Sequence, residues 1–300
     1  MSKAHWLALA SASGIGGATA RKLIERFGSI GAVFDATPDA LAAIPRVTPA
    51  AAAQLLAAPV DALEDEVVSL SDEGIELLTW DDDAFPLALR ALPDAPVVLF
   101  MRGTLRPEDA VAAAIVGTRN ASGPRLDLAD IIASGLAERG ITIVSGLALG
   151  IDTAAHQGAL RAADGRTIAV LGSGVRVIHP RQNAALAEAI VERGALLSEL
   201  MPNAPPRGPQ LMARDRLVSG LSRAVIVVEA AEDSGSLDTA ARAQKQGRLV
   251  YAVPGSPGAD GLLRGGARPL DPDSLDLDAL AVAIRADSPP DDTFQQGSLW

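Results

Sequence analysis

The 300-residue sequence is expected to fold as an α/β protein, with a parallel-sheet core preceded by a small helical domain. Three observations carry that expectation. Six short apolar runs, at residues 97–101, 113–116, 141–144, 167–171, 224–228 and 249–253, are rich in Val, Ile and Ala, and each gives way to Gly or a polar residue and then to a helical pattern. Strands buried on both faces read as continuous apolar runs, and their alternation with helices requires parallel strands covered on both sides, so the core is Rossmann-like. The first 58 residues, by contrast, hold short helical patterns punctuated by Gly and Pro without a β-branched run. Finally, 48% hydrophobic residues in a chain of this length suffice for a full core, which excludes disorder as the dominant state.

In chain order, residues 1–80 are assigned to the N-terminal helical domain and its linker. Ser13-Gly14-Ile15-Gly16-Gly17 places a tight turn before an amphipathic helix, and Ile44-Pro45-Arg46-Val47-Thr48 repeats the scheme, as in helix-hairpin-helix (SAM-like) units. In such units glycines bring backbone amides to a phosphate at a helix N-terminus. Here Arg46 stands where glycine is usual, and the acidic surroundings favour a docking domain without nucleic-acid contact of its own. Residues 61–74 have helical periodicity, 75–80 read as a strand and 81–86 as a loop. The Rossmann-like core is assigned to residues 81–270, and residues 271–300 to an acidic helix around 275–284 with a polar tail from Asp287.

The formal charge of −11 is unevenly spread. Residues 106–270 hold 18 Lys+Arg against 16 Asp+Glu, so the acidity belongs to the flanks and a local phosphate site is compatible with the balance. An uncharged apolar run of the roughly 18 residues needed for a membrane span is lacking, and the N-terminus shows no apolar core ending in a cleavage site. Zero cysteines remove disulfides, thiolate nucleophiles and Cys-ligated metals. A cytoplasmic protein without membrane contact is expected.

In an open parallel sheet, ligands sit beyond the carboxyl ends of the strands. Five expected strands end in small or polar residues: Gly117-Thr118-Arg119, then Ser145-Gly146 through Gly150, then Gly172-Ser173-Gly174, then Glu229 followed by Ser234-Gly235-Ser236 and Thr239, and last Pro254-Gly255. Five such ends on one edge describe a phosphate cradle of backbone amides and helix N-termini. Asp152 and His156 share a helix face but lack a third ligand, so they are expected to fix the 145–150 loop rather than bind metal. Glu229 is read as structural. The serines have no His/Asp partners and no nucleophile elbow, so nucleophilic catalysis is not expected.

Taken with His5-Trp6-Leu7, Phe27-Gly28-Ser29, Phe85-Pro86, Pro180 with Asn183, Ser198-Glu199, and Arg214 and Arg216 before Ser219-Gly220-Leu221-Ser222, these pieces resemble the DNA-processing protein A family, also called DprA or Smf. The resemblance implies a homodimeric protein, not an enzyme and needing no cofactor or metal. It would bind single-stranded DNA without sequence preference and load the recombinase RecA in natural transformation. It also implies that Arg119, Arg214 and Arg216 contact backbone phosphates, as arginine's charged fork suits. Asn183 joins the strand-end residues in the expected site.

Four departures accompany the resemblance. Leu211-Met212-Ala213-Arg214-Asp215-Arg216 replaces a Phe-Pro-x-Arg-Asn-Arg pattern, removing a stacking aromatic and placing Asp215 between two arginines, where it either weakens binding or orients them as an ion pair. Asp260 replaces an asparagine after Pro254-Gly255, His179-Pro180 replaces Tyr-Pro, and the winged-helix domain that many members carry is not expected here. Two alternatives stay open. One is an enzyme resembling nucleoside-monophosphate phosphoribohydrolases, which would need a carboxylate where Arg242 stands. The other is a scaffold with a weakened DNA pocket.

Overall fold

A computed structural model describes residues 2–287, so the expected tail lies almost wholly outside the described residues. The chain divides into two compact units, Met1–Phe100 and Met101–Trp300. The sequence-based boundary at residue 80 lies inside the first unit.

In the first unit run helices α1 (Lys3–Ser11), α2 (Gly17–Phe27), α3 (Ile30–Phe34), α4 (Pro38–Ala42), α5 (Pro49–Leu56) and α6 (Val60–Asp72), strand β1 (Ile75–Thr79) and a short α7 (Leu87–Arg90). Strand β2 (Val98–Gly103) straddles the division. The short helices start where side chains can satisfy first-turn amides. The hydroxyls of Ser29, Thr37 and Thr48 accept from the amides of Ala32, Ala40 and Ala51, and proline opens α4 and α5. Both hairpin turns need left-handed backbone: Gly14 has φ of 80°, and Arg46 adopts φ of 76° in the second copy, a conformation that glycine reaches without strain. Trp6 and Trp80, 5.3 Å apart, anchor the unit's core, their indole N–H groups donating to Asp81 and Pro96 O.

The second unit alternates β3 (Ala112–Val116), α8 (Gly123–Glu138), β4 (Thr142–Ser145), α9 (Ile151–Arg161), β5 (Thr167–Val170), α10 (Ala184–Arg193), β6 (Ala195–Ser198), α11 (Gly208–Leu221), β7 (Ala224–Val227), α12 (Ser236–Lys245), β8 (Leu249–Ala252), α13 (Pro257–Arg264), β9 (Arg268–Pro269) and α14 (Leu277–Ala286). These strands lie side by side in the order β6-β5-β4-β3-β7-β8-β9. Every pairing among them is parallel, with Ala113 beside Ile143 on one side and beside Ala224 on the other. The expected parallel α/β core is present. Two strands, β6 and β9, were not legible as apolar runs.

Burial explains the alternation. Ala113 and Ile115 of β3 join Ile143, Ala224 and Ile226 in a core closed by α8, α9 and α14, through residues such as Ile132, Leu136, Ala155 and Ile284. Helices α11 and α12 contact the strands without entering that cluster, so they cover the opposite face. Successive crossovers run from β3 toward β6 and then return to β7 on the other side of β3. The order therefore reverses between β3 and β7, the position at which a parallel sheet opens a crevice beyond its strand ends.

Candidate nucleic-acid interface

A pocket of about 360 Å³ opens at that reversal point. Its walls are Gly117, Thr118 and Arg119 after β3, Ala148 and Asp152 after β4, Ser234, Gly235, Ser236 and Thr239 around the start of α12, and Leu211, Met212, Arg214 and Asp215 on α11. Three of the five expected strand ends thus converge. The β5 and β8 ends do other work. Leu211 packs on Gly172, and Gly174 is held against the Met201 and Pro202 carbonyls, while Pro254 O accepts from Arg125 and the Gly255 amide donates to Asp260 at 2.9 Å. Neither Asp260 nor these four residues line the pocket.

The loops are locked from behind. Thr118 N donates to Glu229 O at 2.8 Å, Ser122 N donates to the Glu229 carboxylate at 3.0 Å, and Ile151 N donates to Thr118 O at 3.3 Å. Glu229 is structural, as its place at a strand end suggested. Ser145 is fully buried, its hydroxyl donating to Ile115 O, and so braces the strand end rather than facing ligand. Asn183 donates from Nδ2 to Leu147 O at 2.8 Å and to Thr153 Oγ1 at 2.9 Å, pinning a loop in which Leu147 holds a left-handed φ of 61°. Its contribution is to hold the 145–150 loop in place.

Gly150 is where that loop meets the β3 loop. Its φ is 79°, and a Cβ there would collide with Thr118 O and lie 2.7 Å from Arg119 O. Gly150→Ala is expected to destabilise the second unit by at least about 1–3 kcal/mol, the usual cost of forcing a side chain into such backbone. A thermal melt unchanged from wild type would contradict this.

The two α11 arginines have different surroundings. Arg216 is bound through Nη1 and Nη2 to both oxygens of Glu199, each at 2.6 Å, and does not line the pocket. Arg214 lies against Gly146, where any Cβ would overlap its guanidinium. Its ion-pair partner is Asp215, with Nε and Oδ1 3.5 Å apart, and Nε is buried without a hydrogen bond among the described residues. Arg119 is exposed at the rim. The Ser234 and Ser236 hydroxyls are 2.8 Å apart where α12 begins, and no side chain caps that helix.

Acidic groups sit among these cations. Asp152 Oδ2 accepts from the Gly146 and Ala148 amides; burial raises its carboxyl above the usual range, opposed by Arg214 and those amides. Burial pushes Asp215 up to about 7, with Arg214 opposing and Asp152 and Asp238 reinforcing the shift. His156 is buried with Nδ1 2.7 Å from Thr167 Oγ1, and desolvation together with Arg214 lowers it to about 3, so the ring is neutral. No group of three metal-ligating side chains occurs among the described residues. The sequence reading set Asp215 beside the phosphate-binding arginines but did not place Asp152 or Met212 in the site, because helical context alone does not show which side of α11 or α9 meets the sheet edge.

Comparisons with known proteins fit this geometry. Residues 76–271 match the profile of the family described as DNA recombination-mediator protein A, and residues 7–58 match a SAM-like helix-hairpin-helix tandem. The chain is 42% identical to Protein Smf of Escherichia coli over 214 residues, spanning 70% of this chain and 57% of that protein's length. It is similar to the structure of DNA processing protein A from Streptococcus pneumoniae, with a TM-score of 0.77 and 33% identity across 89% of this chain and 94% of that one. A second structure, of DNA processing protein A from Helicobacter pylori, concerns that protein's single-stranded DNA binding mode; it matches with a TM-score of 0.62 and 30% identity, covering 70% of this chain and 96% of that one. With its helical tandem, its parallel core and the pocket at the sheet's reversal point, the chain belongs to the DNA recombination-mediator protein A (DprA/Smf) family.

Proposed function

We propose that this chain binds single-stranded DNA in the pocket between β3 and β7, as a non-catalytic protein that delivers the strand to a recombinase of the RecA type. The observation that carries the reading is Arg214. Its guanidinium lies in a glycine-floored pocket with an ion pair but, among the described residues, no hydrogen bond from its buried Nε, beside the exposed Arg119. A guanidinium so placed is ready to grip phosphate oxygens in two places. The Thr118 and Ser236 hydroxyls and the uncapped start of α12 add neutral donors.

The strand-end residues expected to bind phosphate divide accordingly. Gly117, Thr118, Arg119, Arg214, Ser234, Gly235, Ser236 and Thr239 meet the strand directly, while Gly146 is the floor on which Arg214 rests and Gly150 seats the 145–150 loop against the β3 loop. Homodimerisation, a role in natural transformation and action in the cytoplasm complete the proposal, on the strength of the family.

Fluorescence anisotropy of a labelled oligothymidine across a salt series tests it. Binding is expected to weaken steeply as salt rises and to resist duplex competitor. Arg119→Ala is expected to lower affinity severalfold and flatten the salt slope by about one. Duplex competing as well as single strand would rule the reading out.

A further inference from the structure

Asp215 stands apart from the other acids around the pocket. Asp152 spends its Oδ2 on two backbone amides, Asp233 lines the pocket but is exposed to solvent, and Asp238 outside the lining accepts from Arg242. Asp215 lines the pocket and is 8% exposed, yet among the described residues its carboxyl accepts no hydrogen bond and has only Arg214 Nε at 3.5 Å. A buried acceptor with unspent capacity, aimed into a pocket, is suited to a donor on the ligand. Phosphate supplies acceptors only, and an ionised Asp215 repels it. The internal deoxyriboses of a DNA strand carry no hydroxyl, so the donors that remain are the N–H groups of the bases.

We propose that Asp215 reads the Watson–Crick edge of a base turned into the pocket, giving the site a preference for guanine over thymine. The proposal rests on the single-stranded DNA reading above and adds specificity to it. Guanine presents N1–H and N2–H side by side, which matches both carboxylate oxygens. Thymine presents one N3–H between two carbonyl oxygens that the carboxylate repels. Unstacked bases are read in this way in single strands, where the Watson–Crick edge is free. The pocket of about 360 Å³ has room for a base beside a phosphate held by Arg214, Arg119 and Thr118.

The test is anisotropy at about pH 8.5, where the carboxyl is ionised, comparing an oligothymidine with the same oligomer carrying widely spaced guanines. Wild type is expected to bind the guanine-bearing oligomer about tenfold more tightly, a modest value for one bidentate base contact. Asp215→Ala is expected to bring the ratio to one. Asp215→Asn, which offers one acceptor and one donor, is expected to do the same while still binding both oligomers. A folding defect lowers both affinities together and leaves the ratio untouched, so the ratio is the readout. Equal wild-type affinities, or a preference that survives Asp215→Ala, overturn the inference alone. Binding of neither oligomer overturns the single-stranded DNA reading with it.

Discussion

Replacing Arg216 with alanine is expected to destabilise the second unit by about 3 kcal/mol while leaving the DNA affinity of the folded protein within about threefold of wild type. Its two bonds to Glu199, both 2.6 Å, join side chains that are 11% and 23% exposed. Removing one partner of such a pair leaves the other's charge poorly solvated, which costs several kcal/mol. For a unit of this size that corresponds to a melting shift of about 6–12 °C.

Arg214→Ala is expected to do the opposite, lowering oligothymidine affinity by about 30- to 100-fold through the loss of paired charge-assisted hydrogen bonds. Its effect on folding is softened because Asp215, already pushed up to about 7, takes a proton when its cation is removed. Arg214→Lys keeps the charge without the planar fork and is expected to fall between the two. Melting curves and anisotropy on the three single variants separate these roles, whereas removing all the arginines at once merges a folding defect with a binding defect. Arg216→Ala losing DNA binding with an unchanged melt would reverse the assignment.

That division of labour was not legible in the sequence, for a geometric reason. Two residues apart on a helix means roughly 200° apart around its axis, so Arg214 and Arg216 point to different sides of α11, and only the packed structure shows that Glu199 waits on one of them. The strand-end rule located Gly117 to Arg119 and Ser234 to Thr239 because β3 and β7 flank the reversal of strand order. It could not rank the five ends, since ranking requires that order, and so it included Gly172, Gly174, Pro254 and Gly255. Strand β6 was hidden because Ala195-Leu196-Leu197-Ser198 has no β-branched residue and follows α10 directly, with only the extended backbone of Gly194 between them. Strand β9 is two residues long and ends in proline. The other apolar runs were visible because continuous Val, Ile and Ala stretches have few uses besides a strand covered on both faces.

Oligothymidine affinity is expected to rise about tenfold as pH falls from about 8 to about 6, and Asp215→Asn is expected to abolish that dependence. The groups facing the Asp215 carboxyl are Arg214 on its own helix, Asp152 on α9, and Asp238 and Arg242 on α12. His156, lowered to about 3, stays neutral throughout this range. With Asp215 ionised, the charge on Arg214 is cancelled and an incoming phosphate meets a carboxylate beside the guanidinium. A like charge about 6 Å away at an effective dielectric of about 20 costs ~3 kcal/mol, which the intervening guanidinium reduces to the tenfold effect expected. Protonation of Asp215 through pH 7 lifts this repulsion, and by linkage bound oligothymidine raises the carboxyl further. Stability moves in the same direction. The folded-state value lies above the unfolded one, so the stability Asp215 contributes is fully present below about pH 4 and is lost as pH rises through about 7. Asparagine, which cannot ionise, is therefore expected to raise the melting temperature at pH 8 more than at pH 5 while holding affinity at its low-pH level. A wild-type affinity that is flat between pH 6 and 8, or a slope that persists in Asp215→Asn, would mean that Asp152 or a group outside the pocket sets the charge that DNA meets.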